Sequence, residues 1–218
     1  MLPRLYAILD IDLLAPRGLE PLRVLDVWLD AGVRLIQLRA KTTASGAMLA
    51  LAETMAVRAR AAGATFIVND RADIAKLSGA DGVHVGQDDL PPADVRRVLL
   101  PAPASVGLST HNEAQARDAC AQPISYLAIG PVFATTSKAQ PDPVVGLDGV
   151  RMAAALAAPR ALPVVAIGGI TLERAPSVIA AGASSVAVIS DLLADDLAAR
   201  ARAFVDALSG ADSAMDGR

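Results

Sequence analysis

Apolar residues along this chain gather in eight short runs, each followed by a loop and then a longer segment rich in Ala, Leu and Arg. The runs span Arg4 to Leu9, Leu35 to Leu38, Thr65 to Val68, Gly82 to Val85, Ser105 to Leu108, Tyr126 to Val132, Pro163 to Ile167 and Ser185 to Ile189. They are close to continuous in apolar residues rather than alternating, as expected of strands covered on both faces by helices. The intervening segments read as helices. Pro92 suits a first helical position, and Gly32, Gly63, Gly79 and Gly182 stand where a helix ends in the left-handed conformation. The units Ala31-Gly32-Val33, Ala62-Gly63-Ala64, Ser78-Gly79-Ala80 and Ala181-Gly182-Ala183 form a weak internal repeat of helix stop, turn and strand start. Eight strands alternating with helices predict a single-domain α/β fold, a (β/α)8 TIM barrel over residues 1–208, rather than an open doubly wound sheet. Pro176 is expected to kink or stagger the helix of Leu172 to Ala181. The small, polar stretch from Ser209 to Arg218 reads as a disordered tail.

Composition narrows the class. The 218 residues, 53% apolar, suffice for one sizeable core. A net charge of −3, with no basic run longer than Arg96-Arg97, leaves no electrostatic footprint for nucleic acid or an anionic membrane surface. The mean hydropathy of +0.42 is high, yet no stretch is apolar enough to span a bilayer. A single cysteine, Cys120, and a start at Met1-Leu2-Pro3-Arg4 without an apolar leader place the protein in the cytoplasm as an expectation. Its expected partners are phosphorylated small molecules. A homo-oligomer is left open.

In a TIM barrel the chemistry lies where strands end and βα loops begin. Reading those positions gives Gln37, Arg39 and Lys41, then Asn69 and Asp70, then Gln87, Asp88 and Asp89, then Ser109, Thr135 to Lys138, Gly168 and Gly169, and Ser190. Cations at Arg39, Lys41 and Lys138 on one rim with carboxylates at Asp70 and Asp89 suggest a magnesium-bound polyphosphate, because Mg2+ takes one or two protein carboxylates and completes its shell with water and phosphate oxygens. Each aspartate alone could equally cap or precede a helix. Their adjacency beside a cationic rim favours the metal.

Gly168-Gly169 after strand 7, with Ile189-Ser190 after strand 8, occupy the usual barrel position for binding a phosphate through backbone amides. The segment Phe133 to Leu147, carrying Thr135-Thr136-Ser137-Lys138, is long for a connection and reads as a lid. His84 and His111 are too few for a histidine metal site, and His84 falls inside strand 4, where it reads as a barrel-interior residue. Cys120 lies in a helix, and Trp28 and the methionines read as packing.

Taken in order, these segments carry a resemblance: Tyr6-Ala7-Ile8-Leu9-Asp10, Gln37-Leu38-Arg39-Ala40-Lys41, Ile67-Val68-Asn69-Asp70-Arg71, Gly82 to Pro91, Ser109-Thr110-His111, Gly130-Pro131-Val132-Phe133, Thr135 to Lys138 and Ala166 to Ile170. The chain from Tyr6 to Ser190 resembles the thiamine-phosphate synthase/TenI family. The resemblance implies a transferase that condenses 4-amino-2-methyl-5-hydroxymethylpyrimidine pyrophosphate with 4-methyl-5-(2-phosphoethyl)thiazole, giving thiamine phosphate and pyrophosphate by a dissociative mechanism. By it, Gln37, Arg39, Lys41, Asn69, Ser109 and Lys138 hold the pyrimidine pyrophosphate, with Arg39, Lys41, Ser109 and Lys138 taking the catalytic roles. Asp70 and Asp89 hold Mg2+, and Thr135, Ser137, Gly169, Ile189 and Ser190 meet the thiazole phosphate. Three positions depart from the family pattern: Ala40 replaces a usual Glu, and Ala134-Thr135-Thr136-Ser137-Lys138 has Ala134 and Ser137 where Pro-Thr-x-Thr-Lys has Pro and the second Thr.

Two other activities compete. The TenI-like branch isomerises a thiazole without coupling it and typically lacks the second carboxylate, present here as Asp89. A rim lysine, Lys41 or Lys138, could instead form a Schiff base in a barrel lyase.

Overall fold

The structure, a computed structural model, describes residues 2–102, 104–135 and 142–213, with side chains described as far as Ser209. Eight strands, β1 (Leu5–Asp10), β2 (Leu35–Arg39), β3 (Thr65–Asn69), β4 (Gly82–Val85), β5 (Ser105–Thr110), β6 (Tyr126–Ile129), β7 (Val164–Ile167) and β8 (Ser185–Val188), pair in parallel in chain order, and β8 closes on β1. Helices lie between and after them: α1 (Ile11–Leu14), α2 (Pro21–Asp30), α3 (Ser45–Ala61), α4 (Ala72–Ser78), α5 (Pro92–Leu99), α6 (Glu113–Ala119), α7 (Gly146–Ala157), α8 (Ala175–Ala180) and, following β8, α9 (Leu197–Ser213). This is the closed (β/α)8 barrel that the alternation predicts. Among the described residues no helix is long and apolar enough to cross a membrane.

The apolar runs look continuous because each strand packs two different cores, with helices on the outer face only and not on both. Leu5, Ala7 and Leu9 of β1, Ile36 and Leu38 of β2 and Phe66 and Val68 of β3 point outward into one large cluster shared with the helices, which also takes in Trp28, Met48 and Met55. Tyr6, Ile8, Leu35, Ile67, Tyr126, Ala128, Val165 and Ala187 point inward and fill the barrel. One face of each strand therefore stacks helices against the sheet, and the other packs the interior.

Extending that alternation to the strand ends divides the upper interior into two halves. From β2 to β5 the inward positions are Gln37, Arg39, Asn69, His84 and Ser109. From β6 to β8 they are Ala128, Val165, Ile167, Ala187 and Ile189. One half is polar and the other apolar.

Boundaries differ from expectation in three places. Strand β6 ends at Ile129 rather than Val132, since Gly130 leads into Pro131, which has no N–H for the ladder. Pro176 produces no kink: α8 begins at Ala175, so the proline stands in the first turn, where its missing donor costs nothing, and the turn is closed by Ala175 N–H donating to Thr171 O at 2.9 Å. The expected tail is helical through Ser213, and Ser209 Oγ donates to Val205 O at 2.8 Å within it. Residues 214–218 lie outside the described residues. The helix-stopping glycines behave as predicted, with φ of 98° at Gly32 and 69° at Gly79.

Candidate active site

A cavity of about 950 Å³ opens at the C-terminal mouth of the barrel. Its lining includes Gln37, Arg39, Lys41, Asn69, Asp70, Asp89, Ser109, Thr135, Gly169, Ile189 and Ser190, so every candidate among the described residues converges on one space. Ser137 and Lys138 lie outside the described residues. Because the strands close in order, the ends of β2 to β4 face those of β7 and β8 across the barrel, and the cavity has two poles.

The first pole is ionic. Arg39 is tied to Asp10, a β1 residue only 1% exposed whose role depends on pairing across the sheet. Lys41 Nζ lies 3.5 Å from Asp70 Oδ2. Asp70 follows β3 at φ 62°, a left-handed conformation that aspartate tolerates better than most residues. It caps nothing: Arg71 is the cap residue of α4, which has no side-chain cap. Burial, and then the negative charge of Asp89, push the Asp70 carboxyl up to about 6 against the opposing pull of Lys41. Asp89 Oδ2 accepts from Gly86 N–H at 2.7 Å, which fixes the loop after β4. Among the described residues no cluster of three His, Cys, Asp or Glu forms a metal cage. Two neighbouring hard oxygen donors whose mutual repulsion Lys41 only partly offsets fit the sparse protein contribution that Mg2+ accepts. Asp70 and Asp89 are the residues that would hold it.

Beneath this pole runs a buried hydrogen-bonded chain. Gln37 Nε2 donates to Tyr6 Oη at 2.6 Å, Tyr6 Oη lies 3.0 Å from Tyr126 Oη, and Tyr126 Oη lies 3.1 Å from His84 Nδ1. His84 Nε2 lies 2.8 Å from Ser109 Oγ. The His84 ring also stacks on Tyr126, with centroids 5.5 Å apart. Burial raises both tyrosine hydroxyls above their ordinary range and pushes His84 down to about 4. The histidine is therefore neutral at physiological pH. It is a barrel-interior residue, as read from its place in the strand, and it also lines the cavity and supports Ser109. Tyr6 and Tyr126 carry no sequence signal for this role, since tyrosine is an ordinary strand former. His111, likewise unassigned from sequence, lines the cavity with Nδ1 2.7 Å from Gly130 O.

The second pole is built from backbone. Gly168 and Gly169 take φ of 102° and 61°, and a Cβ on either would lie 2.5 Å from Pro131 or from Ala134 O. The turn is thus packed against the start of the long loop, and Phe133 N–H donates to Gly168 O at 3.0 Å. Ile189 and Ser190 follow β8 beside it. Arg174, absent from the sequence candidates, also lines this end.

Fold and cavity together define a (β/α)8-barrel protein whose mouth holds one cavity lined by charged side chains at one end and by a glycine turn at the other. Residues 5–192 match the family model described as thiamine monophosphate synthase. The chain is 50% identical over 196 residues to a thiamine-phosphate synthase of Koribacter versatilis, spanning 89% of this chain and 90% of that protein. It is 40% identical over 200 residues to one of Chloroflexus aurantiacus, spanning 91% and 89%. Among solved structures, a thiamine phosphate pyrophosphorylase from Pyrococcus furiosus superposes with a TM-score of 0.83 at 29% identity, covering 95% of this chain and 96% of that one. A 3-hexulose-6-phosphate synthase, at 18% identity and a TM-score of 0.67, shares the fold alone. The chain belongs to the thiamine monophosphate synthase family.

Proposed function

We propose that this protein is a thiamine-phosphate synthase, a cytoplasmic transferase that joins hydroxymethylpyrimidine pyrophosphate to thiazole phosphate. The observation that carries the reading is one cavity with two anion-suited poles, ionic at Arg39, Lys41, Asp70 and Asp89 and backbone-lined at Gly168 and Gly169.

In this reading the C–O bond to pyrophosphate breaks first and its electron pair leaves with the pyrophosphate. The pyrimidine ring stabilises the resulting methylene cation, and the thiazole nitrogen lone pair then forms the new C–N bond. Magnesium, when bound by Asp70 and Asp89, supplies positive charge to the leaving group. Arg39 and Lys41, with Lys138 from the loop, hold the same oxygens in place. Gln37, Asn69 and Ser109 hold the pyrimidine over the polar half of the barrel. Thr135, Ser137, Gly169, Ile189 and Ser190 hold the acceptor over the apolar half. Such catalysis is positioning and electrostatic stabilisation, and needs no covalent nucleophile. Schiff-base chemistry at Lys41 is disfavoured because this lysine is 53% exposed and contacts a carboxylate, the opposite of an apolar lysine pocket.

The test is product formation from the two substrates with and without Mg2+, beside Asp89→Ala. Magnesium-dependent release of thiamine phosphate that the substitution abolishes supports the reading. A folded wild-type protein that fails to couple the substrates overturns it in favour of a TenI-like isomerase.

A further inference from the structure

The charges around the cavity are almost all accounted for. Arg39 is paired with Asp10 and Lys41 with Asp70. Asp191 is held by Arg200 at 2.6 Å and by Leu172 N–H at 2.9 Å. Arg174 is different. Among the described residues it has no carboxylate within ion-pair distance, and its partners are the carbonyl of Gly169, to which Nη1 donates at 2.8 Å, and the Phe133 ring, whose centroid lies 4.7 Å from the guanidinium carbon.

These two contacts fix the guanidinium at the second pole. One ties it to the Gly168-Gly169 turn and the other to the start of the long loop. A guanidinium has five N–H donors, and one is used here. The first pole lies across the barrel, so its cations serve a different anionic group.

We propose that Arg174 binds the phosphate of the thiazole acceptor and sets the preference for a phosphorylated acceptor over its alcohol. The inference rests on the synthase reading for the identity of the acceptor. It assigns to a side chain the charge recognition that Gly168-Gly169, Ile189 and Ser190 lack. The backbone amides place the phosphate, and Arg174 supplies a donor fork that matches two of its oxygens. Phe133 packs its ring face against the planar cation and so restricts where the exposed guanidinium can point.

Calorimetric titration with 4-methyl-5-(2-phosphoethyl)thiazole and with its unphosphorylated alcohol separates the possibilities, using wild type, Arg174→Gln and Arg174→Lys. Loss of a charge-assisted contact predicts a 10- to 100-fold weaker Kd, to order of magnitude, for the phosphorylated compound in the Gln variant. Affinity for the alcohol and the unfolding midpoint are expected to stay unchanged, and Lys is expected to restore part of the loss. Equal weakening for both compounds would show that Arg174 only braces the turn, and unchanged affinity for both would also overturn the assignment. So would a wild-type protein that binds neither compound. Because the readout is binding, a chain that discriminates the phosphate through Arg174 but makes no thiamine phosphate would sink the synthase reading and leave this one standing.

Discussion

The Nε2 atom of His84 lies 2.8 Å from the hydroxyl oxygen of Ser109, and the other end of the same ring contacts Tyr126. This places a catalytic candidate at the end of a chain whose polarity is set at its far end. Gln37 Nε2 can only donate, so Tyr6 accepts from it and must direct its own proton to Tyr126. Tyr126 in turn donates to His84 Nδ1, which leaves the ring proton on Nε2 to be donated to Ser109. The Ser109 proton is then directed into the cavity, where it can meet an acceptor on the substrate.

The tautomer is measurable. Nitrogen NMR of the substrate-free protein is expected to show His84 with a protonated Nε2 and a bare Nδ1, unchanged across the neutral range. Tyr126→Phe should release the ring to exchange between tautomers. A proton on Nδ1 in the wild type would mean that the chain runs in reverse and that Ser109 offers the substrate a lone pair instead.

Stability should carry the mark of the same buried ring. Its folded value, about 4, lies below the ordinary 6.5, so the neutral form is the one that folding favours. Above 6.5 neither state binds a proton at this site. As pH falls from 6.5 towards 4 the unfolded chain binds a proton that the folded chain refuses, and stability drops by about 3 kcal/mol. Denaturant titrations over that window test this, with His84→Gln expected to flatten the slope. An unchanged slope in the variant would assign the acid sensitivity to other groups.

Much of this architecture could be read from the residues alone. Strands packed on both faces appear as unbroken apolar runs, and the polar residues at or just past the end of each run, Gln37, Asn69, Asp70 and Asp89 among them, mark the cavity rim. What escaped reading were pairings between residues far apart in the chain. Asp10 looks like the end of a strand until β2 brings Arg39 beside it. Tyr6 and Tyr126 are 120 residues apart, and neither announces a hydrogen bond. Arg174 precedes a helix beside the oppositely charged Glu173, and only the folded structure brings its guanidinium to the carbonyl of Gly169 at the cavity.

Gly107 provides a steric test of the buried chain. A Cβ there would fall 2.1 Å from Tyr126 Cζ and 2.4 Å from His84 Nδ1, so the glycine is the space into which the stacked pair fits. Gly107→Ala is expected to cost about 1–3 kcal/mol from overpacking, or more if the rings cannot shift. It should also disturb the His84 nitrogen resonances. A variant as stable as wild type with unaltered resonances would show that the rings have room that the static packing does not reveal.

Asp70 should show the opposite relation between stability and function. With its carboxyl raised to about 6 by burial and by Asp89, it is more costly to ionise in the folded than in the unfolded chain. That penalty is fully present above about 6 and fades as pH falls towards the ordinary carboxylate value, where both states are protonated. Asparagine keeps the size and tolerates φ 62°, so Asp70→Asn in the presence of a chelator at neutral pH is expected to gain stability on the order of 1 kcal/mol. Asp70→Ala removes the same charge but adds left-handed strain, and should gain less. Adding Mg2+ should raise the unfolding midpoint of the wild type by preferential binding to the folded state. Neither variant should respond. If both variants instead lose stability equally in chelator, the Lys41 ion pair outweighs the repulsion, and the two carboxylates are not held in readiness for a cation.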